Sequence, residues 1–371
     1  MSIVARLGPL RPAITAGWLT GNRWLAQLRL ARRAAPRDLS RIAIVAALER
    51  HNGIAQGARL QHAALLKAGH DVELLDATAA LRNPFARTPH RPATAYVFHC
   101  GGPQTAPLMQ AVLPAASRAW RIGYWAWELP DPPAEWRASQ SVVNEIWTPS
   151  RFAAESLGKM FDCPIHVVGH VVEPEPYRAP EPSRKFTVLV MADSRSSFAR
   201  KNPEAAVAAF REAFQGSDSA HLILKLNGTG REVDALRDSL GDLPYVTVVD
   251  SFLNDEGITR LYRSADVLLS LHRAEGFGLP MLEAMAHGLP VIGTAWSGNM
   301  DFMTEANSLL VPYRLVPVAD SAAIYSGSVW SEPDVAEAAG LLRRLAGDRA
   351  LYSRLSEAAY RTASEGRLTI P

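Results

Sequence analysis

Short apolar runs alternate with longer amphipathic stretches from Arg41 almost to the end of the chain. Ile42–Leu48, Val72–Leu75, Ala95–His99, Arg121–Ala126, Glu145–Thr148 and Ile165–Val168 read as strands, being too short and too evenly apolar for helices. Between them, Gln56–Ala68 and Thr105–Ser117 repeat apolar residues at helical spacing. A proline-rich stretch, Glu173–Pro182, interrupts the pattern with the composition of a linker. The pattern then restarts, with strands expected over Phe186–Met191, His221–Lys225, Tyr245–Val249, Val267–Ser270, Val291–Gly293 and Ser308–Val311. Helices over 332–345 and 348–365 close the chain. Strand and helix in alternation predict parallel sheets covered by helices. The fold class is therefore α/β, with two doubly wound domains facing across a cleft and a ligand expected at the carboxyl ends of the strands. The expected boundaries are an extension over 1–40, a first domain over 41–172, a linker over 173–184, a second domain over 185–345, and a terminal helical segment over 346–371 packing back on the first domain.

Composition narrows the setting. A chain of 371 residues is long enough for two full cores, and 48% hydrophobic with 20% charged residues excludes a disordered chain. Cys100 and Cys163 form neither a disulfide framework nor a metal-ligand spacing, which points to a reducing, cytoplasmic compartment. No uncharged apolar run reaches the length of a membrane span, and the amino terminus lacks the order of regions that a secretory signal needs.

The net charge of +2 conceals an asymmetry. Residues 1–41 carry eight arginines against Asp38, a local charge of +7 that leaves −5 for the remainder. Trp18, Leu19, Trp24, Leu25, Leu28 and Leu30 interleave with those arginines, the composition of an interfacial helix drawn to anionic lipid. One reading makes residues 1–40 a peripheral contact with the inner membrane face. The other makes them a basic extension packed on the first domain or on a partner protein. Nucleic acid is not expected as a partner, because no clustered basic face is visible elsewhere.

Candidate chemistry falls at strand ends. Asp193-Ser-Arg-Ser-Ser-Phe-Ala-Arg-Lys-Asn-Pro203 follows a strand and leads into a helix, so Arg195, Arg200 and Lys201 lie where a diphosphate would meet cations and a helix N-terminus together. A solvated basic loop is the plainer alternative. Further on, Glu275-Gly-Phe-Gly-Leu-Pro-Met-Leu-Glu283 sets two carboxylates on either side of a glycine-bearing turn that opens a helix. Pro280 suits the first helical turn, which puts Gly276 and Gly278 where backbone donors and the positive helix end converge. Ionised Glu275 and Glu283 would accept hydrogen bonds from sugar hydroxyls. Acidic residues near a helix start are also ordinary dipole partners.

In the first half, Gly53 and Gly57 fall between a strand and its helix, where close approach of a ligand or a tight turn explains them equally. His99 ends a strand and is either a contact for sugar or acceptor, or structural. His166 and His170 lack carboxylate company and read as structural.

These residues resemble a known family. Arg195 with Lys201, the run Glu275 to Thr294, and Ser297-Gly-Asn-Met-Asp-Phe302 resemble the retaining glycosyltransferases of family 4, also called group 1, which have the GT-B fold of two Rossmann-like domains. Weaker likeness continues through Asn52-Gly-Ile-Ala-Gln-Gly57, Tyr124-Trp-Ala-Trp-Glu-Leu-Pro130, Trp147-Thr-Pro-Ser-Arg-Phe152 and Trp330-Ser-Glu-Pro-Asp334, so that it covers most of the chain. The resemblance implies that Arg195 and Lys201 hold the donor diphosphate, Glu283 the ribose hydroxyls, and Glu275 the transferred sugar near its reacting carbon. Backbone amides of Phe277, Gly278 and Leu279 would assist. The first domain would face the acceptor. Many relatives carry a His after the strand that here runs Ile122 to Ala126, whereas this chain has Trp125, Trp127 and Glu128. Either Glu128 does polar work near the acceptor, or the two indoles form a sugar platform, or all three pack between domains.

The implied activity is transfer of a hexose-type sugar from a UDP-, GDP- or dTDP-sugar to a carbohydrate or lipid-linked hydroxyl, in surface polysaccharide or glycolipid synthesis and with retained anomeric configuration. No cofactor is implied beyond that co-substrate. The chain has no Asp-x-Asp triplet, so no metal is expected. Same-face displacement is the expected mechanism, with His99 and Glu128 as further catalytic candidates beside Glu275. The same architecture also suits a nucleotide-sugar epimerase, a sugar phosphorylase or a catalytically silent sugar-nucleotide-binding subunit.

Overall fold

The computed structural model describes residues 11–30, 35–50, 52–177, 185–214, 219–241, 243–320, 325 and 327–371, the side chains of 11–14 and 195 excepted. Every expected strand forms, to within two residues at either end. Among the described residues the chain divides into two compact units, one of Met1–Trp127, Asp131–Val171 and Leu368–Pro371, the other of Glu128–Pro130 and Val172–Arg367.

In the first unit, helix α1 (Arg11–Arg29) precedes β1 (Arg41–Ala46), α2 (Gly53–Lys67), β2 (Asp71–Asp76), β3 (Ala95–Cys100), α3 (Thr105–Gln110), β4 (Trp120–Trp125), β5 (Glu145–Thr148), α4 (Arg151–Gly158) and β6 (Ile165–Val167). The six strands are parallel, in the order β2-β1-β3-β4-β5-β6. Ile42, Ile44, Val97, Ile122 and Trp147 form the core against α2, since helices cover the sheet and the strands need no polar face. The helix expected over Thr105–Ser117 stops at Gln110, four residues before Pro114, which has no N–H to donate and disfavours helix at Leu113. Helix α1 buries Asn22 and Ala26, and Arg29 donates to Gln110 at 2.7 Å, while Trp24 and Leu28 stay 60% and 64% exposed.

The second unit runs β7 (Phe186–Asp193), α5 (Phe198–Lys201), α6 (Pro203–Phe214), β8 (Ala220–Asn227), α7 (Arg231–Leu240), β9 (Val246–Val249), α8 (Asp255–Ser264), β10 (Val267–Ser270), α9 (Leu279–Ala286), β11 (Val291–Thr294), β12 (Leu309–Val311), β13 (Tyr313–Pro317), β14 (Val329–Pro333), α10 (Val335–Gly347) and α11 (Arg349–Glu365). Its parallel order is β12-β11-β10-β7-β8-β9, which in chain order is the 3-2-1-4-5-6 arrangement of a dinucleotide-type sheet. Neighbours along β7 serve opposite faces, Val188 packing toward α6 and α10 and Leu189 toward α9 and α11.

The antiparallel hairpin of β13 and β14 was not expected, and it takes the first residues of the helix predicted over 332–345. Of the proline-rich stretch 173–184, residues 178–184 lie outside the described residues, and Tyr177 packs on Tyr360 of α11. Leu368 and Ile370 join the core of the first unit. No helix among the described residues is long and apolar enough to cross a membrane.

Candidate active site

The second sheet reverses its winding between β7 and β10, and a crevice lined in part by Met191, Lys201, Ser270, Glu275, Pro280 and Met281 opens at their carboxyl ends. This is where an open α/β sheet places a ligand. The chain reaches it from β7 through a tight turn. Asn202 ends α5 in a left-handed conformation (φ +51°), which asparagine tolerates, and its amide donates to Leu271 O at 3.0 Å. Pro203 then opens α6.

This turn brings Arg200 and Lys201 to Glu275. The Lys201 ammonium donates to Glu275 Oε1, and Arg200 Nη1 lies 3.3 Å from Oε2. Burial opposes the charge on Glu275, but Lys201 and then Arg200 outweigh it and hold the carboxyl at about 2. Glu275 is therefore an anion at any physiological pH. The other side of the guanidinium faces Glu128, whose Oε1 is 3.7 Å from Arg200 Nη2. Burial raises the Glu128 carboxyl above its ordinary value, and the attraction of Arg200 offsets that only in part.

The Glu275 turn is locked from the next loop. Ser297 Oγ accepts from Glu275 N at 2.8 Å, and Gly298 N donates to Glu275 O at 2.9 Å. Gly298 must be glycine, because a Cβ there would stand 2.3 Å from Gly276 O. Buried His272 accepts from Ser270 through Nδ1 at 3.1 Å and donates from Nε2 to Asn299 Oδ1 at 3.0 Å, tying this loop to the end of β10. Gly278, left-handed at φ +94°, caps α9, Pro280 occupies its first turn, and Phe277 is buried beside it. The amides of Phe277, the capping Gly278 and the first helical residue Leu279 therefore sit at the positive end of a helix.

Glu283 lies one turn further along α9 in a separate pair. Tyr262 donates to its Oε2 at 2.9 Å, and burial, against that hydrogen bond, pushes the carboxyl up to about 7. The Arg195 side chain lies outside the described residues.

In the first unit His99 and Gly57 both lie beside His170, and the other expected residues lie apart from them. His99 is buried, its Nε2 is 2.5 Å from Gln61 Oε1, and its ring stacks on Tyr124 at 4.0 Å. Burial, with His170 adding to it, holds His99 well below its ordinary range. Gly53 starts α2 with open space around it, whereas a Cβ on Gly57 would stand 2.5 Å from Cε1 of His170. Packing on an imidazole accounts for Gly57. Trp125 and Trp127 are both buried, in ring contact with Trp136, so they present no exposed sugar platform.

Three residues of the second unit had no signal in the sequence. Tyr262 and His272 belong to runs that read only as helix and strand end. Tyr325, between β13 and β14, hydrogen-bonds the Arg200 guanidinium, an approach made through a hairpin that the pattern did not reveal. Among the described residues, no group of three or more His, Cys, Asp or Glu is placed to hold a metal ion.

A sequence profile of family 4 glycosyltransferases in conflict systems matches residues 151–349. An uncharacterized glycosyltransferase of Methanocaldococcus jannaschii, MJ1607, is 37% identical over 83 residues, a match that spans 20% of this chain and 21% of that relative. Among solved structures, Anabaena HepE, in complex with UDP and glucose, superposes with a TM-score of 0.60 at 13% identity, covering 88% of this chain and 95% of HepE. WaaG, a glycosyltransferase involved in lipopolysaccharide biosynthesis, gives 0.57 at 14% identity over 88% and 95%. Staphylococcus aureus TarM gives 0.54 at 12% over 72% of this chain, which spans about half (51%) of the TarM chain. At such identities these structures establish a common fold, the GT-B fold.

Proposed function

The chain belongs to the family 4 glycosyltransferases in conflict systems, and we propose that it transfers a hexose-type sugar from a nucleoside diphosphate donor to a hydroxyl of a carbohydrate or lipid-linked acceptor. One observation carries this reading: Glu275 stays ionised against burial, held by Lys201 and Arg200, beside a crevice at the switch point of the sheet. An anion there stabilises positive charge developing at the sugar carbon. The Lys201 ammonium and the amino end of α9 stabilise the negative charge of the departing diphosphate.

In the proposed reaction the bond from the sugar carbon to phosphate oxygen breaks, and its electron pair leaves with the nucleoside diphosphate. The acceptor oxygen bonds to that carbon on the same face, and its proton passes to the departing phosphate. Configuration is retained. Glu283 meets the ribose hydroxyls, Arg195 assists the diphosphate, and Glu128 is a further candidate near the acceptor. Relatives of this fold crystallised with UDP and glucose favour a UDP-sugar as the first donor to test. WaaG acts in lipopolysaccharide biosynthesis, which supports a surface glycan or glycolipid as the product. Exposed Trp24 and Leu28, on the helix of the arginine-rich segment, support a peripheral contact with anionic lipid on the inner membrane face.

Thermal-shift measurements with UDP-, GDP- and dTDP-glucose test the reading. One of them should raise the melting temperature in proportion to occupancy, and radiolabelled donor should then yield a new glycoside. Epimerised donor or a sugar phosphate without a glycoside would replace transfer by epimerisation or phosphorolysis. Absence of any shift would remove the nucleotide-sugar site.

A further inference from the structure

Arg200 and Lys201 are adjacent in sequence and share Glu275, yet their surroundings differ. The Arg200 side chain is 4% exposed and that of Lys201 16%. A guanidinium carries five N–H donors, four of them on its terminal nitrogens. Arg200 Nη1 donates to Ala274 O at 2.6 Å and faces Glu275 Oε2 at 3.3 Å. Nη2 donates to Ser196 O at 3.1 Å and faces Glu128 Oε1 at 3.7 Å, and the Tyr325 hydroxyl adds a further oxygen. Acceptors of this unit thus match the terminal donors, whereas Nε is buried away from solvent without a hydrogen-bond partner among the described residues. A diphosphate would have to displace a carbonyl or a carboxylate to reach this group. Lys201 has three donors on a flexible stem, of which Glu275 takes one.

We infer that Arg200 is a positioning residue and not a diphosphate ligand: its planar fork holds Glu275 and Glu128 at a fixed separation and orientation, and Lys201 is the cation of the pair that meets the donor. This rests on the nucleotide-sugar reading above. Lysine cannot replace the fork, since one ammonium cannot hold two carboxylates and two carbonyls in a plane.

The test compares Arg200→Lys with Lys201→Ala, using whichever of UDP, GDP or dTDP stabilises the wild-type chain most. Arg200→Lys should leave the Kd for that nucleotide within about threefold and lower kcat about a hundredfold. Lys201→Ala should weaken nucleotide binding tenfold or more. In a Glu275→Gln background, adding Arg200→Lys should cost less than threefold further, because the arginine acts through the carboxylate. Loss of nucleotide affinity in Arg200→Lys equal to that in Lys201→Ala overturns the inference alone, and so does full additivity with Glu275→Gln. Should Arg200→Lys fail to fold, a crystal structure of the wild-type chain with the nucleotide decides: Arg200 still on Ala274 O and Glu275 upholds the inference, and phosphate oxygens on its Nη atoms overturn it. A wild-type chain that binds none of the three nucleotides overturns the functional reading, and this inference with it.

Discussion

The two units place polar residues at the carboxyl ends of similar parallel sheets but treat them oppositely. In the first unit, His99, Gln61 and Tyr124 lie together, neutral and buried, beside a half-buried His170 whose imidazole is held down to about 4 by desolvation. In the second, Lys201, Arg200 and Glu275 lie together charged, and the ions keep each other ionised at a crevice. A neutral cluster carries no charge that must be paired and packs as core, even though the buried Gln61 Nε2 has no hydrogen-bond partner among the described residues. A charged cluster is costly to bury unless its members pair, and one kept beside an opening is a candidate site for a charged ligand.

Glu275 gives the largest expected difference between the two. Replacing it by Gln should lower transfer about a thousandfold, the scale of losing one transition-state charge contact, with nucleotide affinity little changed in calorimetry. Loss of affinity without loss of turnover would make Glu275 a binding residue only. Gly298→Ala comes next, because the added carbon meets backbone at 2.3 Å and backbone cannot rotate away. It should destabilise the chain by about 3 kcal/mol in urea unfolding and impair nucleotide binding through the displaced Glu275 turn. An unaltered unfolding midpoint would mean that the two loops move apart freely.

The strands were legible because fully buried parallel strands leave long apolar runs, and β7 and β10 were placed within two residues. From strand and loop order alone, Lys201 and Glu275 could be assigned to the same end of one sheet. The particular pairing of Arg200 with Glu128 could not, since it joins residues 72 positions apart through a segment, Glu128–Pro130, that belongs to the second unit although residues on either side belong to the first. Tyr262 was hidden for a different reason: one hydroxyl on an amphipathic helix looks solvent-facing until its partner, Glu283, is placed. Gly57 was legible as a special position but not its cause, because nothing in the local pattern points to His170.

That glycine supplies the control for the comparison. Gly57→Ala forces the His170 ring aside and should cost about 2 kcal/mol, read again in urea unfolding. Nucleotide affinity should stay within twofold of the parent, since the clash and its neighbours lie within the first unit. A tenfold change in affinity with unchanged stability would instead return the glycine to a role in ligand approach.

The smallest expected effect concerns pH and Glu283. Burial raises its carboxyl from 4.5 to about 7, so between those values the folded chain keeps a proton that the unfolded chain has released. Stability must then fall as pH rises through that window and level off above it. Ligand affinity should move the other way. Below pH 7 the carboxyl still carries a proton, and above it both oxygens can accept from ribose hydroxyls, a gain of about tenfold in Kd for a charge-assisted pair. Glu275 contributes little slope here, since it is ionised in the folded chain down to about 2 and in the unfolded chain above its ordinary 4.5, and its own contribution is lost only as pH falls below that value. The wild-type chain should therefore melt relatively less well than Glu283→Gln at pH 8 than at pH 5, while binding its nucleotide more tightly at pH 8. A melting difference that does not vary with pH would place the Glu283 carboxyl in its ordinary range. A nucleotide Kd that is flat over the same range, and unchanged in Glu283→Gln, would separate this carboxylate from the ribose.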